Sequence, residues 1–569
     1  MKNRNKDIIQ LISIFIIIIL INIIGSMVYH RFDLTQEGRY SLSKASKKLL
    51  SEIDDYIYIE VYLEGDFPSG IERLSLETKQ ILSEFKTQND FIQFTFINPT
   101  ESKDDNTRNE ILKQLYEKGL NPTNLQIKNG DSYTEKIILP GAILKFGANE
   151  IAVQLLKNQI GSSSDQNIEQ SIRELEYEFT NAIKQLRSSL KPSIAFLKGH
   201  GELDGLDIKD LRNTLTQQYS VDEIDLREFE LDSVGKPNLK KKLRELKLKK
   251  LLLIAKPKST FENLDKYFID QYIMNGGKTM WFLDGVAMDM DSLKGNAPFS
   301  MAVPLDLNLT DLLFKYGVRV NYDLVMDFQS DQIPIIVGYQ GNIPQQQLVP
   351  WFYHPVIIPK NKQSIVKNLD GIKSAFVSTL DTVKAINIKK TPLLFSSPYS
   401  KIVRAPHRVS LQILEQEPNI KQFNAGEKPI AYLLEGEFQS VFQNRIAPNN
   451  ESLKPKLASP SNKMIVFGDG DIIKNHVSSS DNAFPLGYNQ FSKSQYNGNK
   501  QLIVNALNYL MDNENLINIR AKEVKLRLLN KSEIKNNRLK WQLINTLLPI
   551  VIIIQIILVF GFVRKRKFR

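Results

Sequence analysis

The chain has 569 residues, a formal net charge of +11 and no cysteine. Without cysteine it has no disulfides, no thiol catalysis and no acylated-cysteine anchor, whatever its compartment. The charge does not mark a nucleic-acid binder: residues 1–7 carry +2, 515–540 carry +6 and 564–569 carry +5, which leaves −2 for residues 8–514.

Residues 8–28 and 543–563 contain no charged side chain. Each reaches the roughly 20 residues a helix needs to cross hydrocarbon, so two transmembrane helices are expected. Lys2, Arg4 and Lys6 precede the first, and Arg564, Lys565, Arg566, Lys567 and Arg569 follow the second. The positive-inside rule then places both termini in the cytoplasm and the body in the periplasm, on an inner-membrane anchor. Basic residues 520–540 compete with that assignment, but large domains are translocated largely regardless of charge.

In the region 29–190, strands at 58–63, 91–97, 142–146 and 150–155 alternate with helical periods at 71–85, 110–116 and 164–190. Ser43 is placed to cap a helix that begins with Ala45 and Ser46. The order β-α-β-α-β-β-α, with Pro140 before the third strand, resembles a thioredoxin-like fold. Lacking a thiol, this domain is expected to bind or pack rather than exchange electrons.

The region 191–514 reads as a doubly wound α/β domain with a parallel sheet. Strands at 193–198, 221–226, 251–255, 279–283 and 464–467 alternate with helices at 208–219, 263–275 and 500–511, and residues 330–459 read as strands and loops elaborating the same domain. A juxtamembrane helix is expected over 515–541.

Gly276-Gly277-Lys278-Thr279 follows a helix, whereas a phosphate-binding loop must precede one, so no nucleotide site is assigned. His200 and Glu202 end the strand 193–198, where doubly wound sheets place ligands, and Asp204, Asp284, Asp469 and Asp471 end neighbouring strands. A structural turn freed by Gly199 and Gly201 is the simpler expectation for His200. The candidate ligand-binding set is therefore His200, Glu202, Asp284 and Asp469, with no catalytic residue, cofactor or metal assigned.

Several segments in order resemble the gliding-motility-associated ABC transporter auxiliary family, GldG, of Bacteroidota. They are residues 31–43 (Arg-Phe-Asp-Leu-Thr and Arg-Tyr-Ser-Leu-Ser), 171–179 after a Gly/Ser-rich turn, Gly-His-Gly-Glu at 199–202, Asn-Tyr-Asp-Leu-Val-Met-Asp-Phe at 321–328, 341–345, Gly-Asp-Gly-Asp at 468–471, and 505–510. The resemblance implies partnership with a separate permease and a separate ATPase, a role in gliding, and contact with envelope motility or secretion proteins. It also implies an amidotransferase-like fold from residue 192 onward, shared with an intraflagellar transport protein, but without that fold's cysteine nucleophile. The expected function is an extracytoplasmic, non-enzymatic auxiliary subunit binding a substrate or envelope partner. The alternatives are a membrane-tethered hydrolase using His200 and Glu202, and a structural scaffold.

Overall fold

A computed structural model describes residues 12–20, 22, 41–101, 104–129, 132–157, 163–187, 191–231, 235, 237–293, 299–361, 363–367, 369–415, 418–445, 455–478, 480–512, 516, 519 and 537–567. Two compact units divide the chain, one holding residues 1–33 and 40–522 and the other residues 34–39 and 523–569.

The body begins with helix α1 (Lys44–Ser51), capped by the Ser43 hydroxyl, which accepts from the Ser46 amide at 3.1 Å. Strand β1 (Ile57–Val61), helix α2 (Ser69–Gln88), strand β2 (Ile92–Phe96), strands β3 (Gly141–Phe146) and β4 (Asn149–Gln154), and helix α3 (Ser164–Arg187) follow. The sheet order is β2-β1-β3-β4, with β1 parallel to β2 and antiparallel to β3, and β3 antiparallel to β4. Helices α2 and α3 bury Leu74, Leu82, Phe85, Phe179 and Ile183 in the core of this sheet. Phe85 meets Phe179 edge to face, with ring centroids 6.4 Å apart. A polar hairpin, Thr123–Asn129 against Ser132–Ile138, forms a separate ladder where the sequence offers no strong apolar alternation.

The motif at 171–179 has a structural job. Glu176 of α3 accepts from the Ser43 amide at 2.6 Å and the Ser46 hydroxyl at 2.8 Å, tying α3 to the start of α1. Glu174 of the same helix pairs with Lys157 at 2.8 Å.

A seven-stranded sheet forms the second layer system. Its strands are β5 (Ser193–Lys198), β6 (Ser220–Asp225), β7 (Leu251–Ala255), β8 (Lys278–Phe282), β9 (Ile388–Phe395), β10 (Pro429–Gln439) and β11 (Ala458–Phe467), in the order β9-β10-β11-β8-β7-β5-β6. The five strands from β11 to β6 run parallel, but β10 is antiparallel to both its neighbours. The sheet is therefore mixed, which corrects the expectation of a parallel one. Parallel neighbours need a crossover, usually a helix, and the described residues joining β9, β10 and β11 contain no α-helix.

Both faces of this sheet are covered. Every residue of β7 is buried, the signature of a strand sandwiched between helical layers. Leu252, Ile254, Trp281 and Val466 share a core with helix α4 (Asn263–Met274) and helix Thr310–Tyr316. Leu251, Leu253, Met280, Phe282 and Phe467 share another with helix Lys209–Thr216 and helix α5 (Gly498–Met511). Just beyond α5, Leu516 and Ile519 are buried in the core of the four-stranded sheet, together with Leu42.

A long hairpin, Ser330–Gln340 with Ile343–Ile357, has no charged residue from 332 to 353. Its base buries Trp351 and Tyr353, while Ile336, Val337 and Tyr339 are more than half exposed.

Helix α6 (Arg538–Lys567) contains, over Arg538–Val563, the one helical stretch among the described residues long and apolar enough to cross a membrane, with mean hydropathy 2.8 and no buried side chain. Of the expected first span, residues 12–20 are helical and exposed, and most of the rest lies outside the described residues. So do residues 520–536 of the expected juxtamembrane helix, whose last residues, 538–541, begin α6.

Candidate functional site

The parallel strands β5, β7, β8 and β11 end on one edge of the large sheet, and all four sequence-picked residues lie just past those ends. They fall into two separate groups.

The first group is a clamp around His200. Gly199 and Gly201 both take positive φ (111° and 71°), which lets the backbone reverse on either side of the ring. The imidazole is fully buried and stacks on Phe261 with centroids 3.7 Å apart. Nδ1 lies 3.2 Å from Oε1 of Glu202 and Nε2 lies 3.0 Å from Oδ2 of Asp265, while the His200 amide donates to the other Glu202 oxygen at 2.7 Å. Asp265 also accepts from the Glu262 amide, closing the capping box of α4. Burial by itself would lower the His200 pKa, but the Asp265 and Glu202 carboxylates outweigh it and hold the ring above its ordinary value of 6.5. Both ring nitrogens are engaged by carboxylates, so the group ties the β5 turn to the start of α4.

The second group is a quartet at the ends of β7, β8 and β11, with Lys256, Asp284 and Asp469 buried and Asp471 half-buried. Lys256 takes positive φ (53°) immediately after β7 and directs its ammonium to Asp284, 3.2 Å away, and to Asp471. Asp284 also accepts from the Gly470 amide at 2.6 Å. Asp469 accepts from the amides of Asp471 (2.6 Å) and Ala375 (3.1 Å) and is wholly buried. A side chain at 470 would strike the Lys256 stem at 2.4 Å, so the glycine in Gly468-Asp469-Gly470-Asp471 makes room for the lysine. Burial is the main force raising the Asp469 and Asp284 pKa values, with neighbouring Asp471 adding to it and Lys256 opposing it. Lys256 is disfavoured as an ammonium by burial, yet Asp284 and Asp471 more than reverse that and keep it charged.

The motif at 321–328 is likewise structural. Asp323 accepts from the amide (2.8 Å) and hydroxyl (2.6 Å) of Thr379, and Asp327 does the same for Ser397 at 2.7 and 2.6 Å.

Sequence reasoning missed Lys256 and Asp265. Lys256 was detectable as the charged residue ending a wholly apolar strand; Asp265, 65 positions from His200 in the first turn of α4, carried no local signal.

Residues 191–506, more than half of the chain, match the family model described as ABC-type uncharacterized transport system. The chain belongs to that family. Membership makes it an auxiliary component of an ABC-type transport system, and α6 agrees with a place at the membrane. Residues 36–145 match a domain of unknown function, DUF7088. An uncharacterized protein of Borreliella burgdorferi is 24% identical over 583 aligned positions, covering 100% of both chains. Among solved structures, the N-terminal domain of mmIFT52 aligns with 59% of this chain and 100% of its own, at 14% identity and a TM-score of 0.30, too low to inform the fold.

Proposed function

We propose that this member of the transport family is a membrane-anchored, extracytoplasmic subunit that works beside a separate permease and a separate ATPase. The observation that carries this reading is the family match across the whole large-sheet region in a chain that ends in an apolar helix. Anchorage at both ends, with both termini cytoplasmic, is supported by the uncharged residues 8–28 and 543–563 and by the basic tails flanking them. The sheet order β2-β1-β3-β4 supports a thioredoxin-like reading of the N-terminal region, with no thiol for redox chemistry. The protein acts by binding a substrate or an envelope partner and performs no chemistry itself. His200 supports this, because carboxylates engage both its nitrogens and, among the described residues, no hydroxyl nucleophile is hydrogen-bonded to it. A hydrolase built on His200 and Glu202 would need a ring nitrogen free for substrate. The ordered resemblance to the gliding-motility family extends the reading to gliding and adhesin secretion.

Extraction of the tagged full chain in mild detergent tests the reading. Co-elution of a multi-span permease and an ATPase is expected; elution alone in several detergents overturns it.

A further inference from the structure

A cavity of about 550 Å³ lies beside the quartet, between the base of the long hairpin and the segment that follows β11. That volume falls within the roughly 300–1,000 Å³ of small-molecule sites. Two of its lining residues hold buried polar atoms with no hydrogen-bond partner, Nε2 of His354 and both amide atoms of Asn475, and Oδ2 of Asp331 has only a loose ion pair with Lys373 at 3.8 Å. These residues are only 9%, 1% and 2% exposed. Leaving a buried polar group unpaired is costly, so such atoms around one cavity mark a place where a ligand supplies the missing partners.

The lining also states the sign of that ligand. Asp207, Asp289, Asp291, Asp331 and Asp471 line the cavity, against Lys373 and Lys474, with Asp471 already paired to Lys256. An anion would meet a carboxylate excess; an ammonium would be drawn in. His354, Asn475 and Asp331 each offer an acceptor, matching an ammonium's donors. Burial drives the His354 pKa down to about 3, leaving the ring neutral and one nitrogen able to accept. Phe376, Tyr488 and Phe491 add aromatic surface, which attracts cations and packs the methylenes between them.

We propose that this cavity binds a small organic cation, a primary or secondary ammonium compound of about diamine size. The assignment stands on the cavity alone and does not depend on the transport partners.

Titration calorimetry of the detergent-purified full chain, with putrescine as probe and glucose and sodium phosphate as controls at fixed ionic strength, tests it. Putrescine should bind with a stoichiometry near one and raise the melting temperature, while the controls do neither. Asp331→Asn and Asn475→Ala should each weaken binding about tenfold or more, because hydrogen bonds to charged groups are lost. Without ligand, Asn475→Ala should melt no lower than the parent, since it removes an unpaired buried amide, whereas Asp331→Asn should melt lower because it gives up the ion pair with Lys373. Lys474→Ala should tighten binding by relieving like-charge repulsion. Putrescine binding no tighter than glucose or phosphate, or unchanged across all three variants, overturns the proposal.

Discussion

His200 can stay charged inside the body because two carboxylates from different elements reach it, and that leaves a measurable trace. Its folded pKa lies above the unfolded 6.5, so the clamp's contribution is complete below about pH 6.5 and is lost as pH rises through the folded value. Urea melts of the body should therefore show stability falling over that window, and His200→Gln should flatten the slope while costing about 3 kcal/mol. Lys256→Met leaves Asp284, Asp469 and Asp471 together without a counter-charge. Its expected cost is about 3–5 kcal/mol at neutral pH, shrinking in acid as the carboxyls protonate, which melts at two pH values would show. At this scale the sequence was informative wherever a polar residue ended an apolar run beside glycine, as for His200, Asp284 and Asp469. It was silent where the partner came from elsewhere: nothing local to Asp265 or Ala375 announces a neighbour 65 or 94 positions away.

Elements were most legible where burial is two-sided. The run Leu251–Ala255 could be read as a central strand because five consecutive apolar residues suit a strand buried on both faces and are too few for a buried helix. Strand direction was not legible, since β10 has the same apolar run whether it lies parallel or antiparallel, and only the missing crossover helix decides it. The end of β11 shows a constraint of another kind. A Cβ at Gly468 would lie 2.2 Å from the carbonyl oxygen of Ser378. Gly468→Ala should cost about 1–3 kcal/mol through forced backbone movement, read as a lowered urea midpoint. The exposed apolar half of the hairpin is an edge with unpaired backbone groups, since the sheet order there places Ser330–Gln340 outermost. Val337→Lys should reduce self-association in light scattering and leave the melting midpoint within about 0.5 kcal/mol of the parent.

For the whole molecule, the cores of the body draw on residues between 42 and 519, and α6 contributes none of their buried side chains. Residues 40–522 made without either apolar segment should remain soluble and give the same far-ultraviolet circular dichroism per residue as the intact chain after its membrane helices are allowed for. Stopping at 514 instead removes Leu516 and Ile519 from their core, at about 1.5–3 kcal/mol each, and should lower the midpoint. Leu42 and Ile519, the first and last buried residues of the body among those described, lie in the same core, that of the four-stranded sheet. The seven-stranded sheet is thus a pendant: along the polypeptide it reaches either terminus only through two short links, Arg187 to Ser193 and Met511 to Leu516. Any pull transmitted along either tail arrives first at the smaller root, and two nicks, one in each link, would leave the pendant held by noncovalent contacts alone.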